Sequence, residues 1–179
     1  MRFFDEKIQK KFFNYIFQCL IATGILLSSL LFLNALTETA LIASLGATSF
    51  IVFAMPKTYA SSPRRLIGGY SIGITVGILC FYLGNLLHNS SIILSFFNHN
   101  EPIFFAAIAV GISIFLMTIT NTEHAPAAGI SLGLVINQWN IYSVLFIIIV
   151  MLIMAGIHQI LQPFMINLSS PNLQKSNEE

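Results

Sequence analysis

The chain has 179 residues, of which 56% are hydrophobic and only 8% are charged. Soluble proteins carry about 25% charged residues, so this composition excludes an ordinary soluble domain and indicates an integral membrane protein. The net charge of +1 leaves no basic stripe for nucleic acid, so the expected partners are membrane lipid, a small solute and other copies of the chain.

Six apolar runs follow a basic, amphipathic N-terminal segment, residues 1–12. Four can cross a hydrocarbon layer of roughly 30 Å as full-length helices: residues 13–34, 66–87, 102–120 and 141–161. The other two, residues 40–55 and 125–137, would cover only about 24 Å and 20 Å. Because a broken segment cannot expose its backbone to lipid, we expect these Gly- and Pro-interrupted segments to be re-entrant or half-spanning and to line a cavity.

The predicted architecture is an all-α, polytopic transmembrane bundle over residues 13–162, followed by a polar C-terminal tail, residues 163–179. Basic residues cluster before the first run and in the connection PKTYASSPRR, residues 56–65. The positive-inside rule places both in the cytoplasm, which predicts a multi-pass protein of the inner (plasma) membrane with a cytoplasmic N-terminus. The C-terminus would lie inside if residues 125–137 cross the membrane and outside if they are re-entrant.

The two short segments occupy matching places in two halves, residues 13–87 and 102–162. LTETALIASLGATS (36–49) and TNTEHAPAAGISLG (120–133) each follow a long apolar run and contain a Thr-Glu pair. Three crossings per half would make an inverted repeat, an arrangement that in transporters places the solute site at the paired broken segments. The alternative is that small residues and Thr-Glu pairs recur by chance.

Glycines at four-residue spacing mark one face of the third apolar run, at Gly69, Gly73 and Gly77. Gly129 and Gly133 repeat this spacing in the short segment. Such faces let membrane helices approach closely. Packing within one subunit is the simpler interpretation. A homo-oligomer joined through these faces is the expected assembly, and a close approach of backbone to solute is the third alternative.

Thr122, Glu123 and His124 stand before Pro126 at the start of the second short segment. One interpretation is a capped helix start at the membrane edge, because Pro suits the first helical turn and Thr the cap. The other draws this helix start into the membrane, where backbone donors and His124 face an anion. The Glu123 carboxylate would repel that anion unless it is protonated or paired with a cation. Proton coupling of transport would remove this conflict.

Three further positions are candidates for the site. Thr37 and Glu38 correspond to Thr122 and Glu123 in the repeat, although a surface cap is the simpler role for them. Arg64 precedes the third apolar run, where an arginine either sets topology and contacts lipid phosphate or recruits an anion. We expect no metal site, cofactor or enzyme activity, since no nucleophile triad, zinc motif or phosphate-binding loop is present.

Two stretches resemble the HPP family of integral membrane proteins, which is named for a His-Pro-Pro motif. The first is LGATSFIVFAMPKTYASSPRRLIGG (45–69), and the second matches at His124, Pro126, Ala127 and Gly129. Ala125 replaces the first proline of the motif, and Tyr70 stands where many relatives carry His after Gly-Gly. The resemblance implies a four-helix membrane protein, and a chloroplast branch associated with nitrite implies a small-anion permease.

The resulting hypothesis is a transporter or channel for a small anion, with nitrite the leading candidate. The expected substrate-binding residues are His124, Glu123, Thr122, Thr37, Glu38, Gly46, Gly129 and Arg64. The alternative is a non-transporting assembly or regulatory subunit that binds a partner membrane protein through its glycine face.

Overall fold

The computed structural model describes residues 7–32, 39–88, 101–137 and 139–168. Across these ranges the chain is helical, with no strand, and a short 3₁₀ turn, Tyr59–Ser61, separates the second and third helices. The helices are α1 (Lys7–Phe32), α2 (Thr39–Ala54), α3 (Pro63–His88), α4 (Glu101–Ile119), α5 (Ala125–Ile136) and α6 (Ile141–Leu161).

Three of these helices are long and apolar enough to cross a membrane: Pro63–Leu87, Pro102–Ile119 and Ile141–Leu161. The described apolar part of α1 is Ile16–Leu27, which is shorter than a span. Four full-length helices were predicted, and three are found in the described part of the chain. The fourth, residues 13–34, stays a prediction. Both short segments are helices, α2 of 16 residues and α5 of 12 residues.

Local sequence explains where several helices begin. Pro63 opens α3, and a proline also lies in the first turn of α5, because its missing N–H is not needed there. Asn140 caps α6 by accepting a hydrogen bond from the backbone N–H of Ser143 at 2.9 Å. These residues fix the helix starts independently of tertiary packing.

Asn121 ends α4 in the left-handed backbone region, at φ 57°. The Thr122 N–H donates to the Met117 carbonyl at 2.9 Å, and the Asn121 N–H donates to the Thr118 carbonyl at 3.2 Å. This pair of bonds is the Schellman arrangement, and Asn tolerates the left-handed position better than most residues. The chain therefore turns sharply between α4 and α5, which brings residues 122–124 back against α3.

Consecutive helices run in opposite directions, so the same end of the bundle collects the start of α1, the connection 55–62, the connection 120–124 and the end of α6. Gln18 of α1 donates to the Ile166 carbonyl at 3.0 Å, and the Leu168 N–H donates to the Ala54 carbonyl at 2.8 Å. We call this the basic end, because Lys57, Arg64 and Arg65 belong to it. The last described residues therefore also lie at the basic end.

The short helix α5 lies between α3 and α2, and glycines make both contacts close. A side chain at Gly73 would strike the carbonyl oxygen of Ala127, and an added Cβ at Gly77 would lie 2.9 Å from the Ser131 Cα. On the other face, a side chain at Gly129 would strike the Ser44 hydroxyl. The close approach of α3 to the backbone of α5 therefore needs glycine at Gly73 and Gly77, whereas the Ser44 hydroxyl beside Gly129 can rotate away.

The glycine faces are consequently occupied within the chain. This confirms the interpretation of packing inside one subunit. Gly69, Gly73 and Gly77 are covered by α5 and the residues just before it in the same chain, and association between copies of the chain stays a prediction.

Candidate functional site

A polar cluster with a buried centre and an exposed outer edge lies at the basic end, where the connection 55–62 covers the start of α5. An added Cβ at Gly69 would be 2.8 Å from the His124 Cβ, so α5 begins beside the second turn of α3. Gly69 is six residues beyond Pro63, about 9 Å along the helix axis. The start of α5 is therefore drawn inward from the end of the bundle. We call the following set the basic-end cluster: Thr48, Tyr59, Arg65, Tyr70, Asn121, Glu123 and His124.

His124 is at the centre of this cluster and is fully buried. Its Nδ1 lies 3.1 Å from the Ala60 carbonyl oxygen and its Nε2 lies 3.0 Å from the Thr48 hydroxyl. Because a carbonyl oxygen only accepts, Nδ1 carries the proton in the neutral ring and Nε2 accepts from Thr48. The imidazole thereby joins α5 to both α2 and the connection 55–62.

Tyr70 of α3 extends this arrangement. Its hydroxyl lies 2.7 Å from the Thr48 hydroxyl, whose proton is already directed to His124. Tyr70 therefore donates to Thr48, which donates to His124, and none of the three side chains is exposed. We call this three-residue chain the hydroxyl relay. Tyr70, which follows the Gly-Gly pair of α3, is thus connected to His124 through Thr48.

Burial lowers the pKa of His124 to about 4, while the hydrogen bond to the Ala60 carbonyl acts in the opposite direction. The residue lies in the connection between α4 and α5, outside the three long apolar helices. At neutral pH the imidazole is therefore uncharged, which agrees with the hydrogen bond that Nε2 accepts.

Arg65 is the buried cation of the cluster, with 4% of its surface exposed. Its Nη1 donates to the Tyr59 carbonyl at 3.3 Å, its Nη2 donates to the Asn121 side-chain oxygen, and its guanidinium lies over the Tyr59 ring. Tyr59 also donates its hydroxyl to Asn121. Asn121, which ends α4, therefore binds both Arg65 and Tyr59 of the connection 55–62.

Glu123 supplies the negative charge beside Arg65. Its Oε2 lies 3.3 Å from the Arg65 Nε, and its side chain is 44% exposed, against 5% for the arginine. The sequence left open whether the Glu123 carboxylate has a partner, and the structure pairs it with the buried Arg65.

His158 provides a second buried imidazole at the same end. Its Nε2 donates to the Pro56 carbonyl at 2.9 Å, and that carbonyl also accepts from the Ser61 hydroxyl at 2.8 Å. His124, just before α5, and His158 of α6 therefore hold two carbonyl groups of the connection 55–62. This segment is fastened to the bundle through its backbone.

The other predicted site residues fall into three groups. Thr122 is buried beneath Gly68 and shares a hydrogen bond of 2.8 Å with Thr120. Arg64 is exposed, and the adjacent Arg65 takes the interior position. Thr37 and Glu38 lie outside the described residues.

The two predicted glycines serve helix contacts. Gly46 faces Leu26 of α1 at an ordinary contact distance of 3.5 Å, and Gly129 packs on Ser44 of α2. Neither reaches the centre of the cluster. Four cluster residues were not among the expected substrate-binding residues: Thr48, Tyr59, Arg65 and Asn121. The sequence had marked Arg65 only together with Arg64 at the start of α3, and Asn121 only as a possible helix cap.

Together these observations define a polytopic α-helical membrane protein with a buried, charged cluster at one end. The chain belongs to the family described as HPP, transmembrane region, which matches residues 8–173. The resemblance noted from the two motifs is thereby confirmed. A transmembrane protein of Dictyostelium discoideum is 29% identical over 131 residues, which cover 70% of this chain and 42% of that protein. The chain thus spans less than half the length of that relative. No solved structure matches the chain.

Proposed function

We propose that the chain transports a small anion across the membrane, with nitrite as the first candidate. The observation that carries the proposal is the burial of Arg65 and His124 where α5 begins inside the bundle. Ionisable side chains in the interior of membrane helix bundles commonly mark solute or ion pathways.

The chemistry of the cluster suits an anion with two oxygen acceptors. Arg65 offers a fixed positive charge, and the start of α5 adds the partial positive charge of a helix N-terminus. The neutral His124 and the hydroxyl relay add groups that can change donor and acceptor roles without a net charge. These features support anion binding, and protonation of His124 offers a route to proton coupling.

The connection 55–62 is the element that would have to move for access from the basic end. It is held by hydrogen bonds from His124 to Ala60, from Arg65 to Tyr59 and from His158 to Pro56. We propose that the described arrangement is closed at this end. We also propose, from the positive-inside rule, that this end is cytoplasmic and that the chain resides in the inner membrane.

The test is nitrite flux into proteoliposomes of the purified chain, with protein-free vesicles as the blank. Arg65→Gln should reduce the initial rate by about tenfold or more, because about 1.4 kcal/mol of lost anion stabilisation already has that effect. Arg64→Gln is the matched control, since it removes the neighbouring exposed charge, and it should stay within about twofold of wild type.

The result that contradicts the proposal is absence of flux from folded wild-type protein under both inward and outward gradients. Folding is checked by a monodisperse elution profile and a cooperative thermal transition. Equal loss of flux in Arg64→Gln and Arg65→Gln would also count against it, because the general surface charge, rather than the buried arginine, would then control the rate.

The second candidate is a non-transporting subunit that binds a partner in the membrane. It is favoured by an apolar cavity of about 260 Å³ between α1 and α2, lined by Gln18, Cys19, Ala22, Ser49, Phe50, Phe53, Ala54 and Leu168. Co-purification of a stoichiometric membrane protein, lost in Ala22→Trp but retained in Arg65→Gln, would support this function over transport.

A further inference from the structure

The ion pair of Arg65 and Glu123 is close but lacks hydrogen-bond geometry. The Arg65 Nε and the Glu123 Oε2 are 3.3 Å apart, and both atoms are buried. Neither makes a hydrogen bond to another group among the described residues. The Nε edge of the guanidinium therefore has a charged neighbour but retains an unused donor.

The rest of the guanidinium is held without help from Glu123. Nη1 and Nη2 donate to the Tyr59 carbonyl and to Asn121, and the Tyr59 ring covers one face of the group. The arginine should therefore keep its position if the carboxylate departs. Its Nε edge is then available to another acceptor.

Glu123 is differently placed. It belongs to the non-helical residues between α4 and α5, and 44% of its side chain is exposed even though Oε2 is buried. The carboxylate therefore has a route to solvent by side-chain rotation alone. The cation is fixed and interior, whereas the anion is held at one atom and close to the surface.

We propose that the Glu123 carboxylate is an internal competitor for the anion site of Arg65, and that a small oxoanion enters by displacing it. This inference rests on the proposed function and concerns the same site. The ligand class is a monovalent anion with two oxygens in a bent O–X–O arrangement, as in nitrite, which matches a carboxylate in charge and acceptor geometry. Exchange of one such anion for the other avoids leaving a buried cation without a partner.

If the proposal holds, Glu123 weakens the binding of nitrite. If Glu123 only held Arg65 in place, its removal would not strengthen that binding. Glu123→Gln removes the competing charge while preserving the size of the side chain. We expect the Kd for nitrite to fall by about tenfold, which corresponds to about 1.4 kcal/mol. In the same background, Arg65→Gln should abolish the binding.

The experiment is titration calorimetry of the full chain in detergent with sodium nitrite, at an ionic strength fixed with sodium chloride, whose anion lacks the two-oxygen arrangement of the proposed ligand. Wild type, Glu123→Gln and the double variant are compared, with Glu101→Gln as the control because residue 101 begins α4 at the other end of the bundle. Tighter binding in Glu123→Gln only, lost in the double variant, is the expected result. Unchanged or weaker binding in Glu123→Gln overturns the proposal, as does the absence of binding in every variant.

Parallel flux measurements separate this inference from the proposed function. Wild-type flux with an unchanged nitrite affinity in Glu123→Gln would leave transport standing and refute the competition. Absence of flux, together with tighter binding in Glu123→Gln that requires Arg65, would refute transport and leave the anion site and its competitor in place.

Discussion

The two ends of the bundle are built from different chemistry, although α3 and α5 run through both. At the basic end, His124 and Arg65 are buried and bonded to backbone carbonyls. Towards the other end the buried side chains that pack together are apolar: Val76, Cys80, Phe105, Ala106, Ala109 and Val135. Apolar packing thus suffices to join α3, α4 and α5 there, so the buried charge at the basic end is not needed merely to hold helices together.

The two ends also differ in the contacts that their polar side chains make. Towards the apolar end, the Trp139 ring packs on Phe81 with centroids 5.2 Å apart, and its indole N–H donates to the Leu134 carbonyl of α5. At the basic end the histidines instead hold the non-helical connection 55–62. Hydrogen bonds to a connection can be exchanged more readily than close packing between helices, so we expect movement at the basic end.

The largest expected loss of stability follows from disturbing the contact between Gly73 of α3 and Ala127 of α5. Gly73→Val should destabilise the chain by about 3 kcal/mol or more, because its side chain would strike the Ala127 carbonyl and force α3 and α5 apart. The yield of monodisperse protein and its thermal midpoint measure this. Gly111→Val is the control, since nothing lies within 4 Å of an added Cβ there. Equal behaviour of the two variants would refute the close α3 and α5 contact.

Acidification should weaken the basic end selectively. Burial holds the pKa of folded His124 near 4, whereas an exposed histidine titrates near 6.5. The unfolded chain therefore takes up this proton first as pH falls, and the free energy of unfolding should decline between about pH 6.5 and 4, by on the order of 2 kcal/mol. The measurement compares unfolding of wild type and His124→Asn at pH 7.5 and 4.5. A decline of the same size in both would exclude His124 as its source.

Loss of the hydroxyl relay should have a smaller effect. Thr48→Val leaves the Tyr70 hydroxyl and the His124 Nε2 buried without their shared partner, at an expected cost of about 1 to 2 kcal/mol. Thr48→Ser keeps the hydroxyl and should recover most of that stability. Denaturant unfolding measures the stability of both variants. If Thr48→Ser is as unstable as Thr48→Val, Thr48 contributes through packing of its methyl group and not through hydrogen bonding.

The smallest effect concerns the backbone of Asn121. Both Asn121→Ala and Asn121→Gly lose the hydrogen bonds to Arg65 and Tyr59, but only Gly suits the left-handed φ of 57° without strain. The Ala variant should therefore be less stable than the Gly variant by about 1 kcal/mol. Thermal midpoints of the pair give this difference directly, and identical midpoints would indicate that the turn relaxes when the side chain is lost.

Much of the architecture was readable from local patterns. The apolar runs predicted helices close to those observed, including the short helices α2 and α5. That these two are re-entrant or half-spanning and line a cavity stays a prediction. Four-residue glycine spacing predicted a close helix contact, and the polar residues before Pro126 directed attention to His124. The inverted repeat and the roles of Thr37 and Glu38 stay predictions.

The choice between Arg64 and Arg65 shows where such patterns stop. Adjacent residues on a helix point about 100° apart, so Arg64 and Arg65 cannot share one direction, but the sequence does not state which of them is turned inward. The packing of α3 against the connections 55–62 and 120–124 makes Arg65 the interior one.

By itself, the sequence determined that this is a helical membrane protein with two short segments and a polar helix start, because composition, run length and proline position act locally. Only the tertiary structure decided that His124 meets Thr48, which is 76 residues away in sequence, and that Glu123 meets Arg65. Such pairs depend on the direction and rotation of packed helices, which arise from the sum of many contacts and leave no periodic signal in the residues themselves.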